Sequence, residues 1–243
     1  MRIAVVSDIH GNLPALEAVV RDLRARGVDT VVNLGDCVSG PLLARETAQF
    51  LMAQGWPTIA GNHERQMLGP GPWGPSDAFA RTRLGAAEWA WLAALPPTLR
   101  LLPEVFLCHG TPHSDLDELL ETVDPVRPRA ATAQEIDARL GPIDAPVVLC
   151  GHTHVPRAVR SGAGQLVVNP GSVGLQALEG QNPYPHLVET GSPDARYAIL
   201  EQRDGAWIPA LISVPYGHQA MADLARANGR PDWAHALRHG YMA

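Results

Sequence analysis

Little in this chain is basic, aromatic or continuously apolar, and each shortage closes off a class of protein. Lysine and arginine number 19 against 25 acidic residues, a formal charge of -6. That balance argues against a broad electrostatic footprint for nucleic acid or an anionic membrane. No run approaches the roughly 18 apolar residues of a membrane span, and the "IAVV" before Ser7 is too short for a signal-peptide core. The 3 cysteines, Cys37, Cys108 and Cys150, are odd in number and lack C-x-x-C spacing, which excludes a disulfide framework and a thiolate zinc site. A cytoplasmic location is expected. Aromatics reach only 5%, while 23 glycines and 22 prolines predict tight turns between short elements rather than disorder. No repeat or low-complexity tract breaks the 243 residues, and at 46% hydrophobic the expectation is one domain over 1–243, with 216–243 as a C-terminal helical extension.

What is present is a recurring grammar. "RIAVVSD" (2–8) reads as a buried strand. From Asn12, an N-cap with Pro14 in the first turn, apolar residues recur at helical spacing until Gly27. "DTVVNLGD" (29–36) is a second strand, which makes a βαβ unit whose parallel strands present ligand groups at their carboxyl ends. A helix near 45–54, a strand at 57–60, an irregular Gly/Pro loop at 69–77 and a helix over 78–94 follow. Further strands are expected in 104–110, 145–154 and 164–174, with helices around 115–122 and 132–140 between them. Residues 182–193 read as irregular, 195–214 as a hairpin turning at Asp204-Gly205, and 216–239 as two short helices broken at 229–231.

Five of these apolar runs end in polar, metal-competent residues: Asp8 and His10; Asp36; Asn62 and His63; His109; His152 and His154. A soluble core has no need of such residues at five strand ends at once. Two aspartates, one asparagine and four of the five histidines form a nitrogen and oxygen donor set suited to Mn²⁺, Fe²⁺, Co²⁺, Ni²⁺ or Zn²⁺ rather than to Ca²⁺ or Mg²⁺ alone. Seven ligands exceed one tetrahedral site and fit two ions sharing a carboxylate, a device for hydrolysing phosphate esters.

Asp8-x-His10, Gly35-Asp36, Gly61-Asn62-His63-Glu64, His109-Gly110 and Gly151-His152-Thr153-His154, in this order, resemble the five motifs of the calcineurin-like metallophosphoesterase superfamily. "NPGSVG" (169–174) is similar to its small bacterial phosphodiesterase-like members. The resemblance implies an α/β fold, a four-layer α-β-β-α sandwich of two packed mixed sheets. It also implies one metal held by Asp8, His10, Asp36 and His154, and a second by Asp36, Asn62, His109 and His152, with Asp36 as bridge and a shared hydroxide attacking phosphorus. His63 would protonate the leaving oxygen, with Glu64 as its orienting partner. Manganese is the first expectation for both metals, with iron, zinc, nickel or cobalt behind it. The segment "GDCVSGP" (35–41) lacks the arginine that protein phosphatases of this superfamily carry after the bridging aspartate, which lowers that reading.

The expected activity is therefore phosphodiester hydrolysis, with phosphomonoesters second. An asymmetrical dinucleoside polyphosphate hydrolase is the rival among enzymes, and a non-catalytic metal-binding interaction module the rival outside them. Small phosphoesters or nucleotides are the expected partners, and a homo-oligomer stays open. Trp73 reads either as a lid that stacks on a base or as ordinary packing, and Arg65 and Arg157 either as substrate contacts or, the better expectation, as structural ion pairs. His113, His186, His218, His235 and His239 read as loop or surface histidines, and the cysteines as core.

Overall fold

The computed structural model describes residues 1–125 and 127–243. In chain order the first half runs β1 (Arg2–Val6), α1 (Leu13–Arg26), β2 (Thr30–Asn33), α2 (Ala44–Gln54), α3 (Asn62–Leu68), α4 (Pro75–Arg81), α5 (Ala86–Ala93), β3 (Thr98–Leu102) and β4 (Val105–Cys108). The second half runs β5 (Glu121–Val123), β6 (Pro128–Ala130), α6 (Ala133–Leu140), β7 (Val147–Leu149), β8 (Arg157–Arg160), β9 (Leu166–Asn169), β10 (Ala177–Gly180), β11 (His186–Glu189), β12 (Ala195–Arg203), β13 (Ala206–Val214), α7 (His218–Ala227) and α8 (Pro231–His239).

Two mixed sheets, ordered β13-β12-β1-β2 and β3-β4-β7-β9-β8, form the middle of the molecule. Strand side chains alternate faces, so each strand divides its apolar residues between two cores. Ile3 and Val5 of β1, Val105 and Leu107 of β4, Val147 and Leu149 of β7 and Leu166 and Val168 of β9 meet between the sheets. Their neighbours point outward: Ala4 and Val6 pack under Leu16, Val19 and Leu23 of α1, and Val148 and Val167 under Ile136 and Leu140 of α6. Helix, sheet, sheet, helix is the four-layer α/β sandwich. Strands buried on both faces read as continuous apolar runs, which is why β1, β2 and β7 were visible in the sequence.

Local signals held where they were strong. Asn12 caps α1 through Ala15 N–H, and Gly27 ends it in the left-handed region. The β12–β13 hairpin turns at Asp204-Gly205, and the two C-terminal helices form on either side of 228–230. They failed where tertiary pairing decides. The strand expected at 57–60 shrinks to a single parallel bridge between Thr58 and Asn33, flanked by Pro57, which has no N–H to give, and Gly61. The helix expected over 78–94 is two, because Gly85 starts α5 afresh with Glu88 turned back onto its N–H. Likewise α4 begins inside the loop read as irregular, where Pro75 fits a first helical position. The helix expected at 115–122 is absent: Leu119 and Leu120 drop into the core beneath α6, and Glu121–Val123 pairs with Pro128–Ala130. In the stretch read as irregular, β11 pairs with β10.

Cys37, Cys108 and Cys150 are all buried and free, and burial pushes each thiol well up from its ordinary value. Thiols held neutral and out of solvent are poor nucleophiles. Native protein should therefore take up no aromatic disulfide reagent on a timescale of minutes and release three equivalents of thiolate colour once unfolded; rapid labelling of the native state would contradict this packing.

Candidate metal centre

The motif residues gather where the carboxyl ends of β1, β2, β4 and β7 meet across the two sheets. Asp8, His10, Asp36, His152 and His154 all have positive φ, between 52° and 69°, and among the described residues the remaining non-glycine case is Asp204 at the hairpin tip. This conformation disfavours side chains with a Cβ and persists only where the surroundings over-determine it. Five of the seven expected ligands carry such strain. Two glycines let the loops come this close. Gly35, at φ 98°, lies against the backbone of Gly61, and a Cβ on Gly61 would strike Asp36 Oδ1 and approach His109 Cε1 to 2.8 Å.

Two groups of donors result: Asp8, His10 and His154, and Asp36, His109 and His152, each with ligand atoms within 4.8 Å of one another. The imidazoles are oriented from behind. His10 Nδ1 donates to Ser39 O, His109 Nδ1 to Leu34 O and His154 Nδ1 to Leu175 O, each at 2.7 Å. His152 donates from Nε2 to Leu116 O at 3.0 Å, leaving its Nδ1 lone pair free. His10 is kept neutral, so its Nε2 lone pair faces His154 Nε2 at 3.1 Å. Burial would lower His109, but Asp36 raises it to about 10, so its Nε2 donates to Asn62 Oδ1 at 3.1 Å and to Asp36 Oδ2 at 3.2 Å. Asp8 Oδ1, fully buried, has no hydrogen-bond partner and sits 3.4 Å from His154 Nε2. Such a set is repulsive without positive charge among it, and its nitrogen and oxygen donors fit divalent transition-metal ions.

The titration behaviour follows from the same crowding. Burial opposes charge on Asp8, yet His154 and His109 hold it at about 2. Burial likewise opposes Asp36, but His109 and His63 keep it well below the carboxylate range. Burial, then His154, pushes His10 down to about 4, and burial with His109 pushes His152 to about 4. Those two imidazoles stay neutral and ready to ligate.

His63 is at the cavity edge, and its partner differs from the expectation. Glu64 does not touch it. As the third residue of α3, Glu64 folds back so that Oε2 accepts the N–H of Gly61 and of Asp36, and Oε1 that of Cys37, all at 2.8 Å. It ties the Asp36 loop to the Asn62 loop. Asp77, from α4, orients His63 instead: its Oδ1 lies 2.8 Å from His63 Nδ1 and accepts the Ser39 hydroxyl at 2.6 Å. Burial would lower His63, but Asp36 and Asp77 raise it to about 9. Asp77 escaped sequence reading because it ends no strand; the Pro75-Ser76-Asp77 helix start was its one signal.

Other expected contacts lie elsewhere. Arg65 forks onto Asp115 at 2.6 and 2.8 Å, and Arg157 pairs with Glu121 at 2.8 Å, so both are structural pairs. Trp73 donates to Gly69 O and stacks under Arg81 at 3.8 Å, outside the cavity over the donors. The aromatic wall of that cavity is Trp233 of α8, edge-on to His10 with centroids 5.9 Å apart. Nothing in the sequence linked α8 to the site.

Elemental analysis of protein reconstituted with Mn²⁺ should give about two ions per chain and about one or fewer in Asp8→Ala, and chelation should lower the unfolding temperature of the native chain. Unchanged stoichiometry in Asp8→Ala would refute the grouping.

The chain is similar to known proteins. The chain is 26% identical over 241 residues to an uncharacterized protein of Methanocaldococcus jannaschii, covering 95% of this chain and 94% of that one. The crystal structure of a metallophosphoesterase from Sphaerobacter thermophilus superposes with a TM-score of 0.77 at 25% identity, over 99% of this chain and 100% of that chain. A hypothetical protein of Pyrococcus horikoshii shares the fold, with a TM-score of 0.75 at 20% identity over 100% and 99% of the two chains. The profile of the calcineurin-like phosphoesterase superfamily domain matches residues 1–192. With that match over most of its length, the chain belongs to the calcineurin-like phosphoesterase superfamily and is a metal-dependent phosphoester hydrolase.

Proposed function

We propose that the protein is a phosphodiesterase working with two divalent cations, one held by Asp8, His10, Asp36 and His154 and the other by Asp36, Asn62, His109 and His152. The observation that carries this reading is the buried, unpartnered Asp8 Oδ1 among imidazole lone pairs that backbone carbonyls aim inward. Bound there, the cations would lower the pKa of water and neutralise phosphoryl oxygens. The family resemblance puts manganese first, and iron, zinc, nickel and cobalt also suit a set of imidazoles and carboxylates. The three thiols without disulfides go with a cytoplasmic location.

The chain's own residues supply the rest. His63 has Nδ1 engaged by Asp77, so its Nε2 bears the proton that the leaving oxygen takes. Glu64 fixes Asp36 and Asn62 relative to each other through backbone N–H groups, so positions are set before substrate arrives. A diester is favoured over a monoester by charge. A monoester carries one more negative charge, and the arginine on the cavity wall, Arg230, is already committed to Asp232 at 2.6 Å. The dinucleoside polyphosphate rival loses Trp73, which lies outside the cavity, and its polyphosphate chain would bring more negative charge than a diester to a wall whose arginine is already paired. The non-catalytic rival is disfavoured by an intact donor set with His63.

Metal-reconstituted protein should hydrolyse a bis-aryl phosphate with higher kcat/KM than the aryl phosphate. His63→Ala should lower kcat by roughly 10²–10⁴, the range of a positioned proton donor, with metal content unchanged. Asp77→Asn should cost roughly tenfold, because the pair keeps its geometry but loses the charge that favours imidazolium. Full activity in Asp36→Asn would overturn the mechanism.

A further inference from the structure

Two cavities meet at the candidate centre. The first, of about 350 Å³, runs from His10 and His63 to Arg230 and Trp233 of α8. The second, of about 750 Å³, is lined by Glu118, Glu121, Arg139, His186 and Val188. His152, Leu178 and Gln181 belong to both walls. Phosphorus bound beside His152 can therefore send one substituent to each side of β10. A monoester has a single substituent, and a cyclic diester has both ester oxygens on one group, so either would leave one cavity to water. Sites of these volumes are of the size that small organic ligands fill.

The two sides differ in chemistry. His63 lines the first cavity and not the second, so the proton donor stands on the α8 side. In the second, Arg139 gives its N–H groups to Glu121 O and the Thr122 hydroxyl, both at 2.7 Å, so its one positive charge stands against Asp117, Glu118 and Glu121, of which Glu121 is also paired with Arg157. Glu118 keeps only a long contact to His186, 3.8 Å, with Asp117 beside it. A negative substituent there would meet a wall with more carboxylates than cations, whereas a neutral or cationic one would not be repelled.

We propose that the substrate is a linear phosphodiester of two alcohols, its leaving alcohol seated in the α8 cavity and its retained alcohol, uncharged or cationic, in the cavity lined by Glu118. This rests on the phosphodiesterase reading above. In the step, the oxygen of water bonds to phosphorus and loses a proton to solvent. The P–O bond to the leaving alcohol breaks with its electron pair on oxygen, and that oxygen takes the His63 proton. The products are the free alcohol and the phosphomonoester of the retained alcohol.

The test holds the leaving group constant and varies the retained arm. Manganese-loaded protein is assayed on p-nitrophenyl diesters of methyl, choline, 5′-thymidine and carboxymethyl phosphate. The choline and thymidine esters should exceed the methyl ester in kcat/KM by roughly tenfold or more, and the carboxymethyl ester should fall below it. Val188→Trp, which narrows the second cavity, should lower the thymidine-to-methyl ratio. It should also raise the calorimetric Kd of thymidine 5′-monophosphate relative to methyl phosphate. Glu118→Lys should raise the carboxymethyl-to-choline ratio. Because each readout is a ratio within one variant, partial loss of folded protein cancels. Diester turnover that is indifferent to the arm, or ratios unmoved in both variants, overturns the two-cavity proposal and leaves the phosphodiesterase reading standing. Cleavage of p-nitrophenyl phosphate with none of any diester overturns both.

Discussion

Two carboxylates buried in the middle of the molecule impose the constraint that the rest of the structure answers. Asp8 and Asp36 are 0% and 2% exposed, and removing a carboxylate from water costs several kcal/mol per ion even after relaxation. Among the described residues, no arginine pairs with either. Their compensation comes from imidazoles that are themselves buried, and from the divalent charge that such a donor set recruits. Strained loops, inward lone pairs and the Glu64 clamp all make sense as ways to hold those two groups in place.

The holding is done mostly by backbone. Carbonyls of Ser39, Leu34 and Leu175 fix three imidazole tautomers, while Glu64 gathers three N–H groups from two loops. The Asp8 and Asp36 loops are also stitched directly, Asp8 N–H to Gly35 O and His10 N–H to Asp36 O, both at 3.0 Å. Orientation by main chain costs little flexibility at the moment of reaction, because carbonyls and amides are already fixed by the sheets behind them. Positive φ at five donors is the strain accepted for that convergence.

Specificity is built from different parts than chemistry. The donors come from the ends of β1, β2, β4 and β7, but one cavity wall comes from α8, which lies beyond the stretch matched to the superfamily. Gly40 leaves the space that the Trp233 ring occupies against it, so α8 is seated on the same loop that carries Asp36. Arg230 links that helix to Ser76, next to the Asp77 that orients His63. The C-terminal helices thus shape the pocket and, through Ser76, brace the Asp77–His63 pair.

The ordered motifs were readable because each donor follows an apolar run, and a strand buried on both faces announces itself by composition. Asn12, Gly27 and Asp204-Gly205 were readable because caps and turns are local chemistry. By itself, then, the sequence determined most of the β-strand scaffold and, through its ordered motifs, the family and its metal-dependent phosphoester chemistry. Tertiary structure alone decided that Asp77 rather than Glu64 orients His63, that Trp233 rather than Trp73 walls the cavity, and that 115–122 is not a helix. Those outcomes depend on which segments far apart in the chain pack together, and packing against a distant surface leaves no periodicity or spacing in the residues that make it.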